Sequence, residues 1–178
     1  SWDTTGDDGG GTSDGALLSF SFDDADSAAT WSEVADATSD EGSIAWAGDA
    51  GNPGGALSMS GLNATEAGKA YIFQYSDGAF SYAGASSATL TFDLKASGAL
   101  VGAALHLQYE VPGAGTINVF DLQTQGLNDA TWTSYSIDIT GITGDGIFRV
   151  HFNMAAGAFS GAGGTVLLDN LVVSASDG

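Results

Sequence analysis

The stretch Ser87–Ser97, SATLTFDLKAS, decides the fold of this chain. Leu90, Phe92 and Leu94 fall on one parity, and Thr91, Asp93 and Lys95 on the other. Successive side chains of a strand point to opposite faces, so this is a half-buried β-strand with an oily side and a wet one. The same rhythm recurs outward in LLSFSFDD (17–24), AYIFQYSD (70–77) and ALVGAALHLQYEV (99–111). It continues in GTINVFDLQT (115–124), WTSYSIDIT (132–140), GIFRVHFNM (146–154) and TVLLDNLVVSA (165–175). Turn signals at Pro112-Gly113, Gly126–Asp129 and Thr143–Gly146 separate several of these runs. No long amphipathic helix is present; Ser27–Asp36 has room for a turn or two. So many short, evenly spaced strands mean an all-β sandwich or barrel.

Composition agrees with one such domain. The 178 residues are 43% apolar and 14% charged, with 27 Gly and only 2 Pro, a mixture suited to strands joined by Gly-rich turns. Residues 1–15, SWDTTGDDGGGTSDG, read as a flexible linker, which leaves 16–176 for the sandwich. The Asp spacing in that run only loosely follows a calcium loop and lacks its closing Glu. No run of about 18 apolar residues occurs, so no membrane span is expected.

Three Lys and Arg against 22 Asp and Glu leave a net charge of −19. Phosphate backbones need clustered cations, so nucleic acid is excluded as a partner and an anionic membrane surface is disfavoured. Such acidity keeps a surface soluble and fits a secreted protein of a marine or halophilic bacterium. Cysteine is absent, which removes disulfides, thiolate nucleophiles and the common zinc sites. The two histidines, His106 and His151, have no zinc-motif context either.

Strand phase then sorts the polar residues. Leu105, Leu107 and Tyr109 go inward, leaving His106, Gln108 and Glu110 outside. Phe148, Val150, Phe152 and Met154 go inward, leaving Arg149, His151 and Asn153 outside. Tyr135, Ile137 and Ile139 go inward, turning Trp132 out; Asp93 and Lys95 are outward in their strand. In TINVFDL the favoured phase buries Ile117 and Val119 and exposes Phe120, although Phe120 and Leu122 argue for the reverse. Tyr71, Phe73 and Tyr75 share one phase, as core or as an aromatic edge. If these strands share a sheet, its wet face is a platform of planar hydrogen-bonding groups. Sugar hydroxyls pair with such donors and acceptors, and sugar C–H faces rest on aromatic rings. An ordinary solvated sheet face is the competing reading.

Three segments carry a family resemblance: SFSFDDADS (19–27) followed by Trp31, GNPGGALSMS (51–60), and the closing strand TVLLDNLVVSA. Their order resembles the jelly-roll carbohydrate-binding modules of the galactose-binding-like type, such as families four, eleven, sixteen and twenty-two. The resemblance implies a two-sheet antiparallel β-sandwich that holds a polysaccharide on its concave face. It implies no catalysis, but the targeting of a linked catalytic domain. β-Glucan or xylan is expected over alginate, because so few cations cannot balance a uronate at every unit. It also implies a structural Ca²⁺, carried over onto Asp23, Asp24 and Asp169, with Asp49, Asn52 and Gly54 completing the shell. Asp169 as an outward polar residue of an alternating strand is the plainer alternative.

The carbohydrate set expected from these arguments is Arg149, His151, Asn153, His106, Gln108, Glu110, Asp93, Lys95, Phe120 and Trp132, in a monomer. A calcium-stabilised β-sandwich of an adhesin is the alternative function. Glycoside hydrolysis, with Glu110 beside Asp93 or Asp121, and polysaccharide lysis are weaker readings.

Overall fold

The computed structural model describes residues 16–33, 43–62, 70–75, 85–97, 105–111, 115–121, 131–141, 151–155 and 164–176. Its elements in chain order are β1 (Ala16–Phe20), α1 (Ala25–Ala29), β2 (Trp31–Glu33), β3 (Ser43–Ala47), β4 (Ala56–Leu62) and β5 (Ala70–Tyr75). They continue with β6 (Ser87–Ser97), β7 (Leu105–Val111), β8 (Gly115–Asp121), β9 (Thr133–Asp138), β10 (His151–Ala155) and β11 (Gly164–Ser176). The strands form two sheets in which the pairings are antiparallel. One has the order β3-β4-β11-β6-β9 with β1 also paired to β11, and the other has β2-β5-β10-β7-β8. The expected β-sandwich is the observed fold.

The core obeys the alternation read from the sequence. Leu90, Phe92 and Leu94 of β6 are buried with Val166, Leu168, Leu171 and Val173 of β11 and Leu57 and Met59 of β4. From the second sheet Trp31 and Phe73 enter the same cluster. Phe20 stacks on Phe22 at 5.5 Å and meets Tyr75 edge-on at 5.1 Å, so an aromatic group bolts β1 to the second sheet. Trp31 is therefore core, and of the Tyr71–Tyr75 triad Phe73 is wholly buried and Tyr75 packs on the core.

Strand β11 explains where the sites lie. Along one side it pairs β6 through ten register positions; along the other it pairs β4 up to Leu168 and β1 from Leu171. The exchange of neighbours falls at Asp169-Asn170, where the β6 register shifts and Asn170 takes φ 49°. A left-handed backbone suits Asn better than most residues. Asp169 itself keeps the parity of Thr165 and Leu167, in register with Asp93, and the irregularity begins directly after it.

Candidate functional site

Two clusters emerge, one on each sheet. The first is built by register across the second sheet. Phe73, wholly buried, defines the core-facing phase of β5. In register with it lie Glu33 on one side and Phe152, Leu107 and Phe120 on the other. The alternate phase is the row Ser32–Gln74–His151–Gln108–Asn118, one position from every strand of the sheet. A second row on that phase reads Ile72–Asn153–His106–Asp121. At about 4.8 Å per strand, the five-position row spans about 19 Å.

The expected carbohydrate set divides accordingly. His151, Asn153, His106, Gln108 and Glu110 share one sheet and one phase. Arg149 lies outside the described residues, as do residues 1–15. Three members belong to the other sheet: Asp93 and Lys95 on β6, and Trp132, half-buried, immediately before β9. Parity alone cannot say which sheet a strand joins, and these three went with the wrong one. Phe120 needs a second correction. The register between β7 and β8 slips by one residue at Val119, so Asn118 pairs Gln108 while Phe120 pairs Leu107. A bulge resets alternation, and Phe120 falls on the core-facing phase after all. Gln74 and Ser32 join the row from outside the expected set, and so does Asn118, which has the phase opposite Ile117 that alternation favours.

The geometry sets apart both carboxylate pairs considered for hydrolysis. Asp93 and Glu110 stand on different sheets. Asp121 pairs His106, four residues along β7 from Glu110, so their backbone positions lie about 13 Å apart along the strand.

The second cluster surrounds the kink in β11. Asp169 is fully buried and Asp93 nearly so, in register with each other on adjacent strands. Asp169 accepts the backbone N–H of Asn52 at 2.6 Å through Oδ2 and that of Asn170 at 2.7 Å through Oδ1. The Asn170 amide donates to the Asn52 carbonyl at 2.8 Å and to Asp93 Oδ2 at 2.9 Å. Burial first, and then the charges of Asp93 and Asp23, push the Asp169 carboxyl up to about 6 despite those two donors. Asp93, expected on an open face, is thus covered by the 51–55 loop and its amides. Gly54, at φ 84°, lies against the Asp23 carboxylate, where any Cβ would overlap it. The Trp46 indole N–H donates to the Phe22 carbonyl at 2.8 Å and ties the edge strand β3 to the segment that follows β1.

Of the expected calcium set, Asp23, Asn52, Gly54 and Asp169 converge, and Asp93 and Asn170 join them. Asp24 does not. Its carboxylate accepts the N–H and hydroxyl of Ser27 and caps α1, which also holds its carboxyl below the usual range. Asp49 is exposed in the turn after β3. The donors present are hard oxygens, the kind Ca²⁺ takes. Among the described residues no three acidic or histidine side chains form one tight cage, so carbonyl oxygens would have to complete a cation's shell. Gly54→Ala is expected to cost roughly 1–2 kcal/mol from the left-handed backbone alone. Displacement of Asp23 adds to that cost. A denaturant midpoint equal to that of the parent would show that the loop is not held this tightly.

No family model matches the sequence, and no curated protein does. Solved structures do. The CBM22-1 xylan-binding domain of Xyn10C from Paenibacillus barcinonensis aligns over 94% of this chain and 99% of its own, at 15% identity and TM-score 0.60. An exo-β-agarase aligns over 93% of this chain and 25% of its own, at 12% identity and TM-score 0.60. The CBM22-1–GH10 modules of Clostridium thermocellum xylanase 10B, solved with xylohexaose, align over 92% and 29%, at 12% identity and TM-score 0.55. The chain therefore has the two-sheet jelly-roll fold of the carbohydrate-binding modules that its strand motifs resemble.

Proposed function

We propose that this chain is a non-catalytic carbohydrate-binding module that lays a neutral polysaccharide across the strands of its second sheet. The observation that carries the reading is the row Ser32–Gln74–His151–Gln108–Asn118. Amides, an imidazole and a hydroxyl at strand spacing offer donors and acceptors to successive sugar hydroxyls. The row holds no aromatic residue, so affinity rests on hydrogen bonds rather than ring stacking. Its length is the reach of a short oligosaccharide. β-Glucan and xylan are the favoured ligands, since a net charge of −19 repels uronates. Xylan-binding neighbours of the same fold support that choice, and the agarase neighbour adds agarose to the candidates.

In the xylanase and the agarase the matching region is a minor part of a longer chain. A tether of that kind raises the local concentration of substrate at a linked enzyme, and we assign this module the same service. Secretion belongs to the proposal, because such polymers are met outside the cell; among the described residues no helix is long and apolar enough to cross a membrane. We also propose that a Ca²⁺ ion sits among Asp169, Asp93, Asp23 and the Asn52 carbonyl. There it would neutralise a buried carboxylate cluster and tie β1, β6, β11 and the 51–55 loop together.

Affinity electrophoresis against β-glucan, xylan, agarose and alginate tests the ligand. One neutral polymer should retard the protein. His151→Ala and Gln108→Ala should each weaken that retardation about tenfold, or 1.4 kcal/mol. Lys95→Ala, on the other sheet, should migrate as the parent does. Retardation by none of the polymers would favour a calcium-stabilised spacer or adhesin domain instead.

A further inference from the structure

The chain contains two histidines in 178 residues, and the fold brings both to one patch of one sheet. His151 on β10 pairs Gln108 on β7, and Asn153 on β10 pairs His106 on β7. His106 and His151 are thus diagonal neighbours on adjacent strands, on the phase opposite the buried Phe73. Such diagonal positions are about 7–8 Å apart, with the Cβ atoms somewhat closer. Two imidazoles at that separation can share one ion at Zn–N distances of about 2.0–2.1 Å. Oxygen donors stand at the adjoining register positions: Asn153 and Asp121 both pair His106, and Gln108 pairs His151. The surrounding charge favours a cation, since the whole chain is strongly acidic.

From this juxtaposition we infer that His106 and His151 form a binding site for a divalent transition-metal ion of the Zn²⁺, Ni²⁺ or Cu²⁺ class. Imidazole suits these ions, whereas the oxygen cluster around Asp169 suits Ca²⁺. The two sites are therefore separable by ligand chemistry as well as by sheet. No sequence motif announces this one, because 45 positions separate the two residues along the chain. Only the β7–β10 register joins them.

The test uses the intact, tag-free protein in excess Ca²⁺, so that the oxygen sites are filled before Zn²⁺ is added. With two histidines in the chain, the imidazole ring resonances are few and can be followed by NMR as Zn²⁺ is titrated. Both rings should shift together and saturate at one equivalent. Calorimetry should give a single site, weakened at least tenfold in His106→Ala and likewise in His151→Ala, with melting midpoints in Ca²⁺ unchanged. If a variant fails to fold, the ring titration of the parent still decides. Shifts in only one ring, no saturation, or unchanged affinity in both variants would overturn the site. No glycan enters these measurements, so their failure leaves the polysaccharide reading standing, and its failure leaves the metal site standing.

Discussion

Phe73→Ala should unfold the domain far below the parent's melting temperature. Phe73 is wholly buried in a core shared by both sheets. Deleting a buried phenyl ring typically costs about 3–5 kcal/mol, from lost transfer energy and the cavity left behind. For a domain of this size that is roughly 6–20 °C in midpoint. Its neighbour Gln74 lies on the opposite phase, and Gln74→Ala should stay within about 0.5 kcal/mol. Thermal unfolding of the two variants followed by circular dichroism makes the comparison. The pair tests more than stability, because the phase of β5 anchors the whole polar row. Equal losses, or a larger loss at Gln74, would turn that row inward and remove the proposed glycan face.

Chelation should produce the second large effect. A ligand present at a hundred times its dissociation constant stabilises the folded state by about 2.7 kcal/mol. Removing Ca²⁺ with a chelator should then lower the midpoint by about 5–11 °C, and added Ca²⁺ should restore it. Asp169→Asn should lose this response, since it removes the most deeply buried charge of the cluster while keeping its shape. An unchanged midpoint across chelator, Ca²⁺ and both proteins would remove calcium from the account. The Asp169–Asn52–Asn170–Asp93 network would then fasten the 51–55 loop to β11 and β6 without a cation.

The sequence reading succeeded and failed for identifiable reasons. Ser87–Ser97 is a strand with the boundaries read from the sequence, and its three inward residues are all core, because an eleven-residue strand paired on both sides has no freedom of phase. Strands β2, β3 and β4 are not among the runs that alternation picks out. Trp31–Glu33 is too short to show a period, and Ser43–Ala47 is an edge strand whose Trp46 is 41% exposed. Phe120 departs from the phase that alternation favours, because one bulge at Val119 reverses every parity after it. The motif does not separate Asp23 from Asp24, because an Asp beside an Asp gives no sign of which one caps a helix.

Alternation is a local property, written by each residue's preference for oil or water, and the linear chain determined it: an all-β sandwich, the parity of its long strands, and the polar identity of His106, Gln108 and His151. Which strands become neighbours depends on contacts between residues far apart along the chain, and no period records that. Tertiary structure alone placed Asp93 beside Asp169 rather than on the polar row of the other sheet. It alone set Gln74, His151 and Gln108 in a single line, and brought the two histidines to diagonal positions on adjacent strands.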